Sequence, residues 1–220
     1  MQIKPIAKIQ NGFPEKFGIP RQSGLVPTMG KIIFEEEYRN PDALKGLEGF
    51  SHLWLIWHFS LNEEKAWSPT VRPPRLGGNK RVGVFATRSP FRPNPLGLSC
   101  VKIEKIVCEE GSGTVIYVTG ADLADGTPIY DIKPYLPFTD SHPDAVGGFA
   151  DEKKDYKLDV TMSCDADIPQ ENLELIKQII SNDPRPAYQN DPERVYKMSV
   201  LGYNVEFTAD GKKAIVINIS

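Results

Sequence analysis

The stretch GVFATRSPFRPNPLGLS, residues 83–99, gathers hydrogen-bonding chemistry into a stiff frame. Arg88 and Arg92 each present a planar fork that suits a carboxylate or a phosphate, and Asn94 offers a donor and an acceptor to a base edge or a backbone group. Pro90, Pro93 and Pro95 fix φ and push Ser89, Arg92 and Asn94 toward extended conformations. A loop held in this way loses little entropy when a ligand arrives, so the segment reads as a recognition surface. The competing reading is an ordinary surface loop whose prolines stop the preceding strand.

Other reactive groupings are sparse. The chain has no GxxxxGK[ST] phosphate loop and no HExxH, and GSGT at Gly111 lies between two strand-like runs, which makes it a hairpin turn. His52 and His58, six residues apart on a tryptophan-rich run, point to one face without a carboxylate or cysteine partner in the neighbourhood, so no metal is expected. A hydrolase using His52 or His142 has no nucleophile motif behind it. Asp125 before Gly126 forms a turn whose carboxylate can accept from ribose hydroxyls or an amino group, while the glycine admits a ligand close to the backbone.

Charge narrows the partners. A net charge of −3 and a pI near 5.7 argue against a protein that coats nucleic acid indiscriminately. Between Lys65 and Ile103, however, Lys65, Arg72, Arg75, Lys80, Arg81, Arg88, Arg92 and Lys102 stand without a single acid, so this window carries +8 and the remainder −11. A basic face on an acidic chain is the expectation. With 40% hydrophobic and 25% charged residues and no apolar run of membrane-spanning length, the chain reads as a soluble globular protein. The start MQIKPIAKIQ has no signal-like apolar core, and Cys100, Cys108 and Cys164 are odd in number with no CxxC spacing, which indicates reduced thiols and a cytoplasmic location.

The elements that must position these residues are mostly strands. Short apolar or alternating runs recur at IKPIAKI, KIIFEE, SHLWLIWHF, RVGVFAT, SCVKIEKIVC and TVIYVTG. NPDALKGLEG is the helical candidate among them, with Asn40 as N-cap and Pro41 at the first helical position. Strands outnumber helices too heavily for a doubly wound sheet. The fold class expected is mainly β, with a barrel-like domain over residues 1–155. The polar GGFADEKKDY marks a boundary, and residues 156–220 read as a small α+β domain. It has a strand at KLDVTMS, a capped helix with Leu173, Ile176 and Ile180 at helical spacing that stops before Pro184, and strands at RVYKMSV, YNVEF and KAIVINI.

GVFATRSPFRPN, taken with EKFGIPRQSGLV, FSHLWLIW, VRPPRLGG, DGTPIYDIKPYLP and DPRPAY, resembles the TsaA/TrmO family nearly end to end. That resemblance implies a single-sheeted β-barrel methyltransferase in place of a Rossmann domain. It implies S-adenosylmethionine as methyl donor and, as acceptor, the exocyclic amine of threonylcarbamoyladenosine at position 37 of threonine tRNAs. Carried over to this chain, the family's cofactor pocket would use Ser23, Gly24, Leu25, Leu61, Asn62, Arg88, Leu98, Asp125, Gly126 and Thr127. Ser23 departs from the PRQPGL expected in relatives, and a serine there relaxes the loop. The resemblance further implies a homodimer, and the lack of an apolar run of spanning length implies no membrane partner.

In-line methyl transfer needs alignment more than a nucleophilic side chain. The acceptor nitrogen belongs to a urea, so a base would help, with Asp125 and Asp131 as candidates and neither preferred over a structural role. Arg88 should avoid the sulfonium and meet either the donor's carboxylate or an RNA phosphate. Arg72, Arg75, Arg92 and Asn94 are the candidates for substrate contacts. The C-terminal domain is expected to position tRNA, so that truncation near Asp155 would keep donor binding and weaken tRNA methylation. A non-catalytic tRNA-binding module of the same fold is the alternative.

Overall fold

The computed structural model describes residues 2–62, 67–73, 76, 80–186 and 191–220. Its first part is a closed six-stranded barrel. The strands are β1 (Ala7–Asn11), β2 (Met29–Phe34), β3 (His52–His58), β6 (Leu96–Glu109), β7 (Gly113–Thr119) and β8 (Pro128–Pro134), in the order β1-β2-β7-β6-β3-β8 with β8 closing onto β1. Alternation sets what faces inward. On β3, Leu53, Leu55 and Trp57 are buried while His52, Trp54, Ile56 and His58 are less so, and the inward set packs with Ile9, Ile32, Val101, Val118 and Ile129. β4 (Thr70–Val71) and β5 (Val82–Gly83) form a separate two-stranded ribbon ahead of β6.

Several sequence expectations change here. The DGTPIYDIKP segment supplies the barrel-closing β8, with Pro128 and Pro134 at its ends, where a missing N–H interrupts little. NPDALKGLEG is two 3₁₀ turns, Pro41–Leu44 and Leu47–Gly49. Asn40 does cap the first, its side chain accepting from the Asp42 N–H at 3.0 Å, but Gly46 at φ 90° breaks the helix after one turn. The strand expected over RVGVFAT shrinks to Val82–Gly83. Val84–Ala86 then curl into a 3₁₀ turn, and the Thr87 hydroxyl donates to the Val84 carbonyl at 2.8 Å.

The second part is a four-stranded sheet, order β10-β11-β12-β9. Its strands are β9 (Asp159–Met162), β10 (Tyr196–Val200), β11 (Tyr203–Ala209) and β12 (Lys213–Ile219), with β9 parallel to β12. The short α1 (Pro137–Asp140) precedes it, and α2 (Gln170–Ser181) covers it. The helix buries Ile176, Ile179 and Ile180. Its N-cap is Pro169, which has no side-chain acceptor to offer, so the expected N-terminal cap is absent and packing of the apolar face carries the helix.

Residues 156–220 do not close this second core alone. Phe13 and Val26, from the segment between β1 and β2, are buried in it beside Ile176, Met198 and Phe207, and Phe17 and Ile19 pack against it. The Phe17 ring stacks on Tyr196 and Phe207, each at 6.3 Å between centroids. Leu201 N–H donates to Gly12 O at 2.7 Å and Ser199 N–H to Glu15 Oε1 at 2.8 Å. The 12–26 segment is therefore a strap that leaves the barrel, threads the second core and returns.

Candidate active site

The strap crosses one end of the barrel and roofs a cleft of about 520 Å³, within the size range of small-molecule sites. Three pieces of the barrel form the rest: the end of β3 with the turn after it, the turn into β6, and the loop between β7 and β8. Lys16, Arg21 and Gln22 enter from the strap, Trp57, Leu61 and Asn62 from β3 and beyond, Arg88, Arg92 and Asn94 from the proline-rich turn, Gly97 and Leu98 from β6, and Asp122 and Thr127 from the last loop.

The turn 87–95 is stitched to itself. Ser89 N–H donates to Thr87 Oγ1 at 3.2 Å and Phe91 N–H to Ser89 Oγ at 3.3 Å. Arg92 Nη1 reaches the Thr87 carbonyl at 2.9 Å, with its guanidinium 6.0 Å from the Phe85 ring centroid. Part of Arg92 thus serves the turn's own shape. Arg88 points to the strap and donates to Gln22 Oε1 at 2.5 Å, while Lys16 Nζ donates to Asn62 Oδ1 at 2.6 Å.

In the cleft wall Trp57 donates its indole N–H to Ser99 Oγ at 2.9 Å, and the Ser99 hydroxyl donates to Asp122 Oδ1. Ser99 is wholly buried. Burial pushes the Asp122 carboxyl above its usual range. The Ser99 hydroxyl, the backbone N–H groups of Asp122 and Ser23, and the Arg88 charge offset this only in part. Gly97 allows the arrangement, because a Cβ there would lie 2.3 Å from the Trp57 ring.

Among the expected site residues, Leu61, Asn62, Arg88, Leu98, Thr127, Arg92 and Asn94 line the cleft. Ser23, Gly24 and Leu25 do not. Ser23 sits behind the floor, its N–H on Asp122 and its Oγ accepting from Cys100 N–H at 3.2 Å, and Gly24 N–H donates to Gly120 O at 2.8 Å. Asp125 and Gly126 occupy an exposed turn outside the lining, where Asp125 Oδ1 accepts from Asn11 N–H at 2.8 Å and Gly126 N–H donates to Ile9 O at 2.8 Å. Asp131, on β8, pairs with Lys133 at 2.9 Å and is likewise absent from the cleft. Arg72 is exposed away from the lining, and Arg75 lies outside the described residues. Sequence reasoning missed Asp122, Lys16, Arg21 and Gln22. For Asp122 the signal was present in GADLADG, three residues before the Asp-Gly turn that drew attention. No cluster of His, Cys, Asp and Glu able to hold a metal ion occurs among the described residues.

The family model of the tRNA-methyltransferase O N-terminal domain matches residues 8–141, and that of the TrmO C-terminal domain matches residues 155–220. The chain belongs to the tRNA-methyltransferase O family. Among its relatives, the tRNA (adenine(37)-N6)-methyltransferase of Escherichia coli strain K12 is 42% identical over 94% of this chain and 92% of its own length. A Pyrococcus abyssi protein described as a probable S-adenosyl-L-methionine-binding protein is 35% identical over 71% of this chain and 79% of its own. The crystal structure of TrmO from Pseudomonas aeruginosa superposes with a TM-score of 0.78 at 31% identity, covering 100% of this chain and 98% of that one. TrmO membership and the closed barrel agree with the sequence expectation. No helix among the described residues is long and apolar enough to cross a membrane.

Proposed function

We propose that this chain is an S-adenosylmethionine-dependent tRNA methyltransferase of the cytoplasm that methylates the exocyclic nitrogen of threonylcarbamoyladenosine at position 37 of threonine tRNAs. The observation that carries the reading is the cleft itself. The TrmO motifs, distant in sequence, converge there to bring four cations, Lys16, Arg21, Arg88 and Arg92, and one carboxylate, Asp122, into the lining of one cleft. Cations suit an anionic RNA and an acceptor that bears a carboxylate.

The cleft fits such a donor in size and chemistry. Leu61 and Leu98, 45% and 54% exposed, offer apolar surface to a purine, and Asn62 and Thr127 offer hydrogen bonds. Arg88 meets the donor's carboxylate. When bound, S-adenosylmethionine supplies an electrophilic methyl group on sulfur. The protein's part is to hold the acceptor nitrogen in line with that carbon and to keep water from the cleft, tasks suited to a turn already locked by its own hydrogen bonds.

Two further parts of the reading rest on surfaces. Phe85 and Phe91, on the turn that carries Arg88, are 73% and 42% exposed, and burial against a second copy of the chain would remove them from water in a homodimer. Residues 156–220 position the tRNA while also holding the strap over the cleft. The deciding experiment is methylation with labelled donor of tRNA from cells lacking this enzyme. Label in the modified adenosine of threonine tRNA is expected, and label elsewhere or none would end the reading.

A further inference from the structure

We infer that Asp122 is the general base of methyl transfer, taking the N–H proton of the acceptor urea nitrogen, with Ser99 and Trp57 holding its carboxylate in place. This rests on the methyltransferase reading above.

The acceptor nitrogen lies between a purine ring and a carbonyl, so its electron pair is delocalised and attack is aided by loss of the proton. Among the described residues lining the cleft, only Asp122 can take it. Arginine does not give up its proton under ordinary conditions, and Lys16 already donates to Asn62 at 2.6 Å. Gln22, Asn62, Asn94, Thr87 and Thr127 are not bases, and no histidine lines the cleft. Asp125 and Asp131 are engaged outside it, with Asn11 and Lys133.

Geometry adds to elimination. The Ser99 hydroxyl can donate to Asp122 because the Trp57 indole fills its acceptor side, so a chain of donors centred on the buried Ser99 fixes the orientation of the carboxylate. Burial makes that carboxylate more basic, and the acid retains affinity for the proton it receives.

The step balances. Asp122 removes the proton as the nitrogen's electron pair bonds the methyl carbon, and the pair of the broken carbon–sulfur bond stays on sulfur. A sulfonium and a carboxylate become a thioether and a carboxylic acid, so opposite charges disappear together, a change favoured in a partly desolvated cleft.

The test compares the wild type with Asp122→Asn, whose amide oxygen can still accept from Ser99, and with Ser99→Ala. Donor affinity is measured by calorimetry, folding by thermal unfolding, and kcat against pH on modified tRNA. For Asp122→Asn the expected result is a kcat lower by about 10²–10⁴-fold with donor affinity retained. Wild-type kcat should rise with pH through one ionisation, which Asp122→Asn abolishes. Ser99→Ala removes a hydrogen bond that stabilises the ionised carboxylate, so its profile should shift to higher pH and its rate recover there, whereas purely structural damage would lower kcat at every pH. A wild-type rate from folded Asp122→Asn, or a loss located in donor affinity alone, would overturn the assignment. Absence of methylation by the wild type would overturn the functional reading as well.

Discussion

Arg21 donates Nε and Nη2 to the main-chain oxygen of Asp183, at 3.2 and 2.5 Å, and thereby ties the roof of the cleft to the second sheet domain. The same Nη2 reaches the Arg185 carbonyl at 2.5 Å. Beneath these carbonyls lies the buried Asp183–Arg185 ion pair at 2.8 Å, whose guanidinium also donates to Ala209 O at 2.6 Å. Asp183 needs this support, since it holds φ 51° without being glycine. The connection continues through Gln22, next in sequence, to Arg88. Arg21→Ala should cost about 1.5–3 kcal/mol in stability, as expected for lost charged hydrogen bonds, and should weaken donor binding. Arg21→Lys should not restore both, because an ammonium lacks the fork. Thermal unfolding and calorimetric titration check this. Unchanged values in Arg21→Ala would show that the tie is incidental.

Removing residues 156–220 should damage the donor site, contrary to the simpler expectation that this part serves tRNA alone. Phe13 and Val26, 1% and 0% exposed, would lose the core that buries them, and the strap carrying Lys16, Arg21 and Gln22 would lose its anchorage. In the intact chain, Phe13→Ala should cost about 3–5 kcal/mol and lower donor affinity, although Phe13 does not line the cleft. Donor titration of the fragment and of Phe13→Ala provides the check, and full donor affinity in a folded fragment would contradict the shared core.

What the sequence disclosed follows from how local each signal is. Alternation on β3 and the helical spacing of Ile176 and Ile180 are short-range patterns, and both survive in the structure. The barrel-closing β8 was hidden because its end prolines look like punctuation, and only closure onto β1 and β3 explains them. The arginines and Asn94 were legible because prolines frame them. Asp122 was legible only as an acid beside the Asp-Gly turn; its placement was not, since its environment is assembled from Ser23, Trp57 and Ser99, which no spacing rule connects. The crossing of the strap into the second core is likewise a tertiary event: nothing around Phe13 announces that its partners begin near residue 158.

Gly97→Ala tests the packing behind the cleft. The new methyl would meet the Trp57 ring at 2.3 Å, so the indole must move and its 2.9 Å bond to Ser99 must stretch or break. A loss of about 1–3 kcal/mol in stability is expected from overpacking, together with weaker control of the Asp122 carboxylate and a lower kcat. Unfolding curves and rates at a fixed pH decide it, and a variant equal to the wild type in both would show that the ring relaxes without consequence.

Asp122 should also leave a mark on stability without any ligand. Its native carboxyl binds a proton more tightly than in the unfolded chain, where the ordinary value is 3.8, so the native state binds more protons between that value and the raised native one. Stability contributed by the neutral form is present below 3.8 and declines as pH rises through the native value. Asp122→Asn cannot ionise, so its melting temperature should match the wild type near pH 3 and exceed it near neutrality, roughly the reverse of its effect on kcat. A melting difference independent of pH would show that the carboxyl is not held in the form described.

Selectivity should follow from which cations remain free to turn toward substrate. Arg92 is partly consumed by the Thr87 carbonyl at 2.9 Å, and Arg21 by the second domain at 2.5 Å. Lys16 instead rests on an Asn62 side chain at 2.6 Å, a partner it can exchange for the carboxylate of a threonylcarbamoyl group. Transcribed tRNA lacks that group and would leave the ammonium without its anionic partner. Sites built around a polar substrate group reject substrates lacking it by as much as about 10⁴-fold, so the enzyme should act on modified threonine tRNA and scarcely on its transcript. Lys16→Ala should lower kcat/KM on modified tRNA by about 10- to 100-fold, the effect of one charged hydrogen bond, while its small activity on the transcript stays unchanged. Arg72→Ala, at an exposed position outside the cleft lining, should leave the ratio of the two rates intact. Initial rates on both tRNAs for the three proteins make the comparison. Equal wild-type rates on modified and transcribed tRNA would mean that the acceptor carries no such group, and an undiminished Lys16→Ala would move the carboxylate to another cation, with Arg88 next in reach of a flexible partner at Gln22.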